Sequence, residues 1–104
     1  MAINNVVITG RLMADPIIRY TQSGKAVASL SIAVNRRFKK DEADFFECVA
    51  WEKTAELICE YMRKGSQIGI TGSIKQDRFE KDGEKRSKGV INIEQIEFLD
   101  KKGD

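Results

Sequence analysis

The chain has 104 residues, of which 41% are hydrophobic, and a formal net charge of +2. This length suits one domain with a modest core. No apolar run approaches the roughly 20 residues that a membrane-spanning helix requires, and the amino terminus lacks the basic and apolar regions of a signal peptide. We therefore predict a cytoplasmic protein without a membrane span.

The residue types limit the chemistry. The chain contains no histidine, which is the commonest general base and zinc ligand, and its two cysteines, Cys48 and Cys59, do not form a Cys-x-x-Cys pair. We interpret both as reduced, buried thiols. The acidic pairs fall in predicted turns, and no phosphate-binding loop is present. We therefore expect no enzyme activity, no metal and no cofactor.

The charge is distributed unevenly. Residues 1–40 contain seven Lys or Arg and one acid, a net +6, whereas residues 41–104 contain eleven bases and fifteen acids, a net −4. Such asymmetry favours a basic patch over a uniformly solvated surface, although charges also fluctuate along any short chain.

The first part of the chain predicts three extended segments separated by turn residues. They are residues 4–12, the short piece 17–20 and residues 26–36. Gly10 within the first segment indicates a bulge or a sharp bend. The third alternates regularly, and its predicted core face consists of Ala28, Leu30, Ile32 and Val34.

A charged loop or hairpin tip is predicted at residues 36–42, where Phe38 lies among four bases. The strand at residues 44–51 follows. Alternation puts Phe45, Glu47, Val49 and Trp51 on one face and Phe46, Cys48 and Ala50 on the other. Because a dry core does not tolerate an unpaired Glu47, the first face is either ordinary core or a wet surface with two exposed rings.

The second half of the chain predicts a helix and two strands. The helix covers residues 53–64, with Thr54 as N-cap and Gly65 as C-cap. Strands at 67–79 and 88–99 flank a hairpin turn at 81–84, where Asp-Gly suits positive φ angles. The order predicts an all-β OB-fold, a five-stranded Greek-key barrel with one helix between strands 3 and 4. The predicted domain is 1–100, with a short polar end at 101–104.

Rings interleaved with bases are the composition that single-stranded nucleic acid requires, because bases stack on rings and cations follow phosphates. Phe38 and Phe79 lie in charged segments, so we favour binding over a small contact beneath a hairpin. Apolar spacing predicts that Tyr61 and Phe98 are core. Phe46 is interpreted as core or subunit interface.

Several runs also resemble a known family across about Asn5 to Leu99. They are Val7-Ile8-Thr9-Gly10-Arg11-Leu12, Asp15-Pro16, Arg19-Tyr20, Gly24, Val27-Ala28, Ala33-Val34-Asn35-Arg36, Ala55-Glu56-Leu57, Glu60-Tyr61-Met62-Arg63-Lys64-Gly65-Ser66-Gln67 and Ile70-Thr71-Gly72-Ser73-Ile74. The chain in these runs resembles the bacterial single-stranded DNA-binding protein (SSB) family. The resemblance implies an OB-fold homotetramer that coats single-stranded DNA during replication, recombination and repair, in the cytoplasm and on the nucleoid.

The resemblance also implies roles for particular residues. Its stacking positions correspond to Phe38, Phe45, Trp51 and Phe79. Phosphate contacts, from the resemblance and from the bases beside the rings, are Arg11, Arg36, Arg37, Lys53, Lys64, Lys75 and Arg78. In the family, dimers form by pairing of first strands, so the expected oligomer interface is Asn4, Asn5, Val6, Val7, Ile8 and Thr9, joined by Phe46.

Two departures from the family matter. Glu47 lies where relatives often have a base on the DNA face. The long tail that ends in acids and Ile-Pro-Phe is absent, so we expect either a naturally short member, such as a phage, plasmid or accessory copy, or a trimmed chain without tail-mediated partners. Two alternatives stay open: a protein-interaction module of the primosomal accessory type, and an RNA-binding module.

Overall fold

Six strands and one helix form over residues 2–99, the part of the chain that this computed structural model describes, the side chain of Lys40 excepted. In chain order they are β1 (Val6–Leu12), β2 (Ile17–Tyr20), β3 (Ala26–Arg36), β4 (Lys39–Trp51), α1 (Glu52–Tyr61), β5 (Gln67–Lys81) and β6 (Glu84–Phe98).

Five of these strands close into a barrel. The sheet order is β1-β5-β6-β4-β3-β2, and a further pairing of β1 with β3 closes the ring. Strands β4 and β6 run parallel and the other pairs are antiparallel. The short β2 pairs with β3 alone among the six strands and lies at the end of the sheet order, outside the closed ring. The predicted OB-fold is confirmed. Its helix lies between β4 and β5 here because β2 is counted as a separate strand.

The core lies inside the barrel, and the alternation of the strands fills it. Ala28, Leu30 and Ile32 of β3 are buried, and so are Cys48 and Ala50 of β4, as the sequence predicts. Helix α1 closes one end of the barrel with two fully buried side chains three residues apart, Ala55 and Ile58. This spacing turns one helical stripe toward the strands.

The ends of α1 differ from the prediction. The helix begins at Glu52, with Trp51 in the N-cap position and no side-chain cap, so the predicted cap at Thr54 is wrong. It ends at Tyr61, and Met62 rather than Gly65 is the C-cap. Burial of the apolar stripe, not cap preference, sets the position of this helix. Gly65 lies in the next turn, where its N–H donates to the carbonyl of Leu12.

Two turns and one glycine clarify how the strands connect. The charged segment at 36–42 is a hairpin, because β3 ends at Arg36, β4 begins at Lys39 and only two residues turn the chain. The predicted turn at 81–84 is confirmed, with φ of 53° at Asp82 and 78° at Gly83. At Gly10 the pairing of β1 with β5 continues without a bulge. A Cβ there would lie 2.7 Å from the carbonyl oxygen of Ala33, so glycine permits the barrel to close.

Three aromatic residues are less buried than the sequence predicts. Tyr61 is 63% exposed and Phe98 is 44% exposed, so their assignment to the core is wrong. Both lie at element ends, beyond the barrel interior, and their rings meet edge to face with centroids 5.8 Å apart. Phe46 is 39% exposed and is not a core residue of the protomer. Cys59 is half-buried, in contrast to Cys48.

No helix within residues 2–99 is long and apolar enough to cross a membrane. The short polar end predicted at 101–104, and the boundary at residue 100, lie outside the described residues.

Candidate nucleic-acid interface

Side chains of β3 and β4 that point away from the core form one continuous surface, which we call the outer face. The pairs in register on it are Ala33 with Phe45, Ser31 with Glu47, Ser29 with Val49, and Val27 with Trp51. Phe45 is 65% exposed and Trp51 is 40% exposed. The core interpretation of this face is therefore wrong, and the face is wet.

Two arginines extend the outer face at its two ends. Arg11 of β1 pairs with Ala33, which pairs with Phe45. Arg19 of β2 pairs with Val27, which pairs with Trp51. Paired residues point to the same side of a sheet and neighbouring strands are about 4.8 Å apart. The Cα atom of each arginine therefore lies about 10 Å, two strand spacings, from the Cα atom of the aromatic residue in its row. Arg19 was not predicted as a contact, because only the register of β2 reveals its position.

The hairpin formed by β5 and β6 supplies the other wing of the face. Lys75 pairs with Val90, which pairs with Glu47 across the parallel strands. Further along, Asp77 pairs with Lys88 and Phe79 pairs with Arg86. Phe79 is 39% exposed, and the ammonium of Lys88 lies 5.6 Å from its ring centroid. A third ring thus lies next to a cation beside the β4 surface.

A cleft of about 410 Å³ joins the two wings. Its lining combines an apolar floor with hydroxyl and charged groups from five strands and from the β1–β2 loop. The lining residues are Ala14, Asp15, Ile17, Arg19, Ser29, Leu30, Ser31, Glu47, Cys48, Val49, Asp77, Lys88 and Val90. The cleft runs along the row of paired side chains and suits an extended ligand better than a single small molecule.

An ion pair crosses this cleft. The Nζ of Lys88 lies 2.5 Å from Oε2 of Glu47. The pKa of Lys88 is raised, first by the hydrogen bond to Glu47 and further by the charges of Glu47 and Asp77. The unfavourable charge that the sequence suggested at Glu47 is therefore balanced by a base that sequence reasoning missed. Because Lys88 lies forty-one residues away, only the parallel pairing of β4 with β6 brings it to Glu47.

Beneath this pair lies a thiol that the face does not expose. Cys48 is buried, and burial together with the charge of Glu47 raises its pKa to about 12. It stays a protonated, apolar core group at neutral pH.

The tip of the β3–β4 hairpin carries the most exposed ring. Phe38 is 92% exposed, and the guanidinium of Arg37 lies 5.7 Å from its centroid. A ring in this setting has no packing role to fulfil within the protomer.

Two predicted phosphate contacts lie on the opposite side of their hairpins. Arg36 is held by Asp44 at 3.0 Å and by Glu42 at 3.3 Å, and the hydrogen bond and charge of Asp44 raise its pKa. Asp44 precedes Phe45 on β4 and so points away from the outer face. Arg78 likewise alternates with Phe79 and pairs with Ser87.

The other predicted bases lie at the edges of the face. Lys53 follows Trp51 by two residues in the first turn of α1 and is exposed. Lys64 is exposed in the turn after α1, where its backbone N–H donates to Oδ1 of Asp15 at 2.8 Å. Nη1 of Arg11 donates to the carbonyl of Gly65 at 3.1 Å. These bases surround the rings without contacting them.

The predicted oligomer residues lie along a sheet edge. Strand β1 pairs with β5 over residues 6–11 but with β3 only through Arg11 and Leu12, so no described strand pairs with the second edge of residues 6–10. Val7 is 71% exposed, and Asn5 and Thr9 are exposed, whereas Val6 and Ile8 pack against the core. The side chain of Asn4 bonds both backbone groups of Ile74 and extends the β1–β5 pairing.

The fold and the exposed face together define the class of protein. A small closed barrel with an exposed aromatic face, bordered by bases, is an OB-fold of the kind that binds extended oligomeric ligands. The sequence matches the "Single-strand binding protein family" over residues 3–99. The chain belongs to this family, as the resemblance predicts.

Several named proteins are similar to this chain. A single-stranded DNA-binding protein of Clostridium perfringens is 46% identical over 99 residues, which are 93% of this chain and 66% of the relative. Single-stranded DNA-binding protein 1 of Nostoc sp. is 45% identical over 106 residues, with 100% of this chain and 89% of the relative covered. The corresponding protein 1 of Synechocystis sp. is 44% identical, with the same coverage. The chain thus spans nearly all of the cyanobacterial relatives and 66% of the clostridial one.

Proposed function

We propose that this protein binds single-stranded DNA without regard to sequence and coats it during replication, recombination and repair. The observation that carries the proposal is the outer face, where Phe45 and Trp51 are exposed, together with the exposed Phe79 of the adjoining β5–β6 hairpin, all beside basic residues. Membership of the single-strand binding family supports it. The protein acts by binding and not by catalysis.

The mechanism combines stacking with charge. Unpaired bases stack on Phe38, Phe45, Trp51 and Phe79, each stack contributing roughly 1–3 kcal/mol. Stacking tolerates any base because every base has a flat face, which makes binding independent of sequence. Cations along the path neutralise phosphates and release counterions. The basic side chains best positioned to neutralise phosphates are Arg11, Arg19, Arg37, Lys53, Lys64 and Lys75. Arg36 and Arg78 join only if the strand passes round the hairpins.

We further propose that the protein assembles through β1. The second edge of residues 6–10 offers backbone groups to an antiparallel copy, and Val7 adds an exposed apolar side chain. Pairing of two edges would remove an aggregation-prone feature from the surface. A second contact involving Phe46, 39% exposed, would join two such dimers into a tetramer. We place the assembly in the cytoplasm, on nucleoid DNA.

Trp51 provides a direct test, because it is the only tryptophan in the chain. Titration with poly-dT should quench its fluorescence, and the logarithm of affinity should fall linearly with the logarithm of salt, by about 0.7 for each phosphate neutralised. The absence of quenching, or equal affinity for duplex DNA, would rule the proposal out. Stronger binding to oligo-U than to oligo-dT would indicate an RNA-binding protein. Capture of a replication helicase with negligible DNA affinity would indicate a protein-interaction module.

A further inference from the structure

We propose that Glu47 competes with DNA for Lys88. The carboxylate of Glu47, in the middle of the outer face, is paired with the ammonium of Lys88, and a DNA phosphate contacts this ammonium only by displacing the carboxylate. The inference rests on the proposed function and concerns how that same face sets affinity and salt dependence. It makes Lys88 a phosphate-binding residue and Glu47 an internal substitute for the phosphate.

The location of the pair supports this role. Glu47 shares one face of β4 with Phe45 and Trp51, so it lies between the two rings of that strand and not at their margin. Lys88 reaches it from β6 while lying 5.6 Å from the centroid of Phe79. A nucleotide stacked on Phe79 would carry its phosphate close to this ammonium. Lys88 therefore lies where the DNA path needs a positive charge, but the carboxylate of Glu47 is already paired with it.

Solvent access makes displacement feasible. The side chains of Lys88 and Glu47 are 44% and 53% exposed, so a phosphate can approach without disturbing the core. Exposed ion pairs of this kind add little to folding stability. The hydrogen bond to Glu47 and, more weakly, the charge of Asp77 raise the pKa of Lys88, so the ammonium carries its charge at neutral pH. The pair thus has little structural role, and its effect is on DNA binding, which must break the ion pair before a phosphate reaches Lys88.

The charge of the pair predicts a measurable consequence. With Glu47 present, a phosphate that binds Lys88 releases one carboxylate. One anion is unpaired before and after this exchange, so the pair adds no net neutralisation of phosphate charge. Glu47→Gln keeps the side-chain shape but releases Lys88, which adds one effective cation to the DNA path. The slope of log affinity against log salt should become steeper by about 0.7. The affinity gain over the unmodified protein should therefore grow about fivefold for each tenfold fall in salt concentration.

Asp44→Asn is the matched control. It removes the same charge from the same strand, three residues away on the opposite side, and its partner Arg36 stays paired with Glu42 at 3.3 Å. This variant should leave the slope unchanged. The double variant Glu47→Gln with Lys88→Met should return to the slope of the unmodified protein.

The experiment is a set of oligo-dT titrations of the full chain and these three variants over a range of salt concentrations, with thermal melts to establish that each is folded. The proposal is supported if only Glu47→Gln steepens the slope. It is overturned if Asp44→Asn steepens it equally, since net charge then explains the gain, or if Glu47→Gln changes nothing. Failure of the unmodified protein to bind oligo-dT is a different result, and it contradicts the proposed function itself.

Discussion

The two ends of the β5–β6 hairpin share one ladder of backbone pairs but differ entirely in burial. Pairing runs from Ile68 opposite Phe98 to Lys81 opposite Glu84, with one irregularity at Thr71 and Gly72. At the barrel end, Ile68, Ile70, Ile91 and Ile93 are buried. At the turn end, every residue from Ile74 to Gly89 is exposed. Apart from that irregularity, backbone pairing runs the length of the hairpin, whereas the burial of apolar side chains stops halfway.

This contrast separates stability from recognition. The barrel end is stabilised by burial of apolar surface, the dominant favourable term in folding. The turn end is held by the ladder, the Asp82-Gly83 turn and cross-strand contacts, and it carries Lys75, Phe79 and Lys88. We therefore expect substitutions in the barrel to affect unfolding, and substitutions on the exposed arm to affect DNA binding with little change in unfolding.

The largest expected effect is the loss of a core isoleucine. Ile32→Ala removes a fully buried side chain of β3, so the free energy of unfolding should fall by about 2–5 kcal/mol, from lost transfer energy and from the cavity left behind. Ile74→Ala is the matched control, because the same atoms are removed where the side chain is 52% exposed. Urea denaturation at one protein concentration measures both. Similar losses at the two positions would contradict the division between barrel and arm.

A smaller effect, on binding alone, is expected for the ring of the arm. Phe79→Ala removes a stacking surface and should weaken oligo-dT binding by roughly 1–3 kcal/mol, or about fivefold to a hundredfold and more. The thermal melting temperature should change little. Phe98→Ala serves as control, since Phe98 is similarly exposed, 44% against 39%, but lies against Tyr61 and outside the outer face. Equal loss of affinity in both variants would remove Phe79 from the DNA path.

Local sequence pattern predicted the faces of the strands because alternation is a property of neighbouring residues. The buried face of β3 and the Asp-Gly turn follow from residues close in the chain, whereas alternation on β4 only separated its two faces and left open whether the one with Phe45 and Trp51 is core or wet. The pattern could not reveal Arg19 or Lys88, whose positions depend on the register of β2 and on the parallel pairing of β4 with β6. Those pairings are set by closure of the whole barrel.

The burial of residues at the ends of helices and strands could not be predicted from the sequence either. Tyr61 has the spacing of an apolar helix face, but that spacing does not tell where the barrel stops. Thr54 is a favourable N-cap type, but burial of Ala55 and Ile58 starts the helix earlier. In both cases tertiary packing overrides a weak local preference.

The smallest effect should come from the exposed aromatic pair at the other end of the barrel. Tyr61 and Phe98 meet at 5.8 Å with an interplanar angle of 62°, and both are substantially exposed. An edge-to-face pair contributes about 0.5–1.5 kcal/mol beyond its buried area, so Tyr61→Ala should lower the free energy of unfolding by about 1 kcal/mol and leave oligo-dT affinity unchanged. Urea denaturation of Tyr61→Ala, Phe98→Ala and the double variant isolates the ring contact, since the coupling energy of the cycle excludes other losses. A loss as large as that of Ile32→Ala would mean that another surface covers this pair in solution, and that the stabilising part of the molecule extends beyond one barrel.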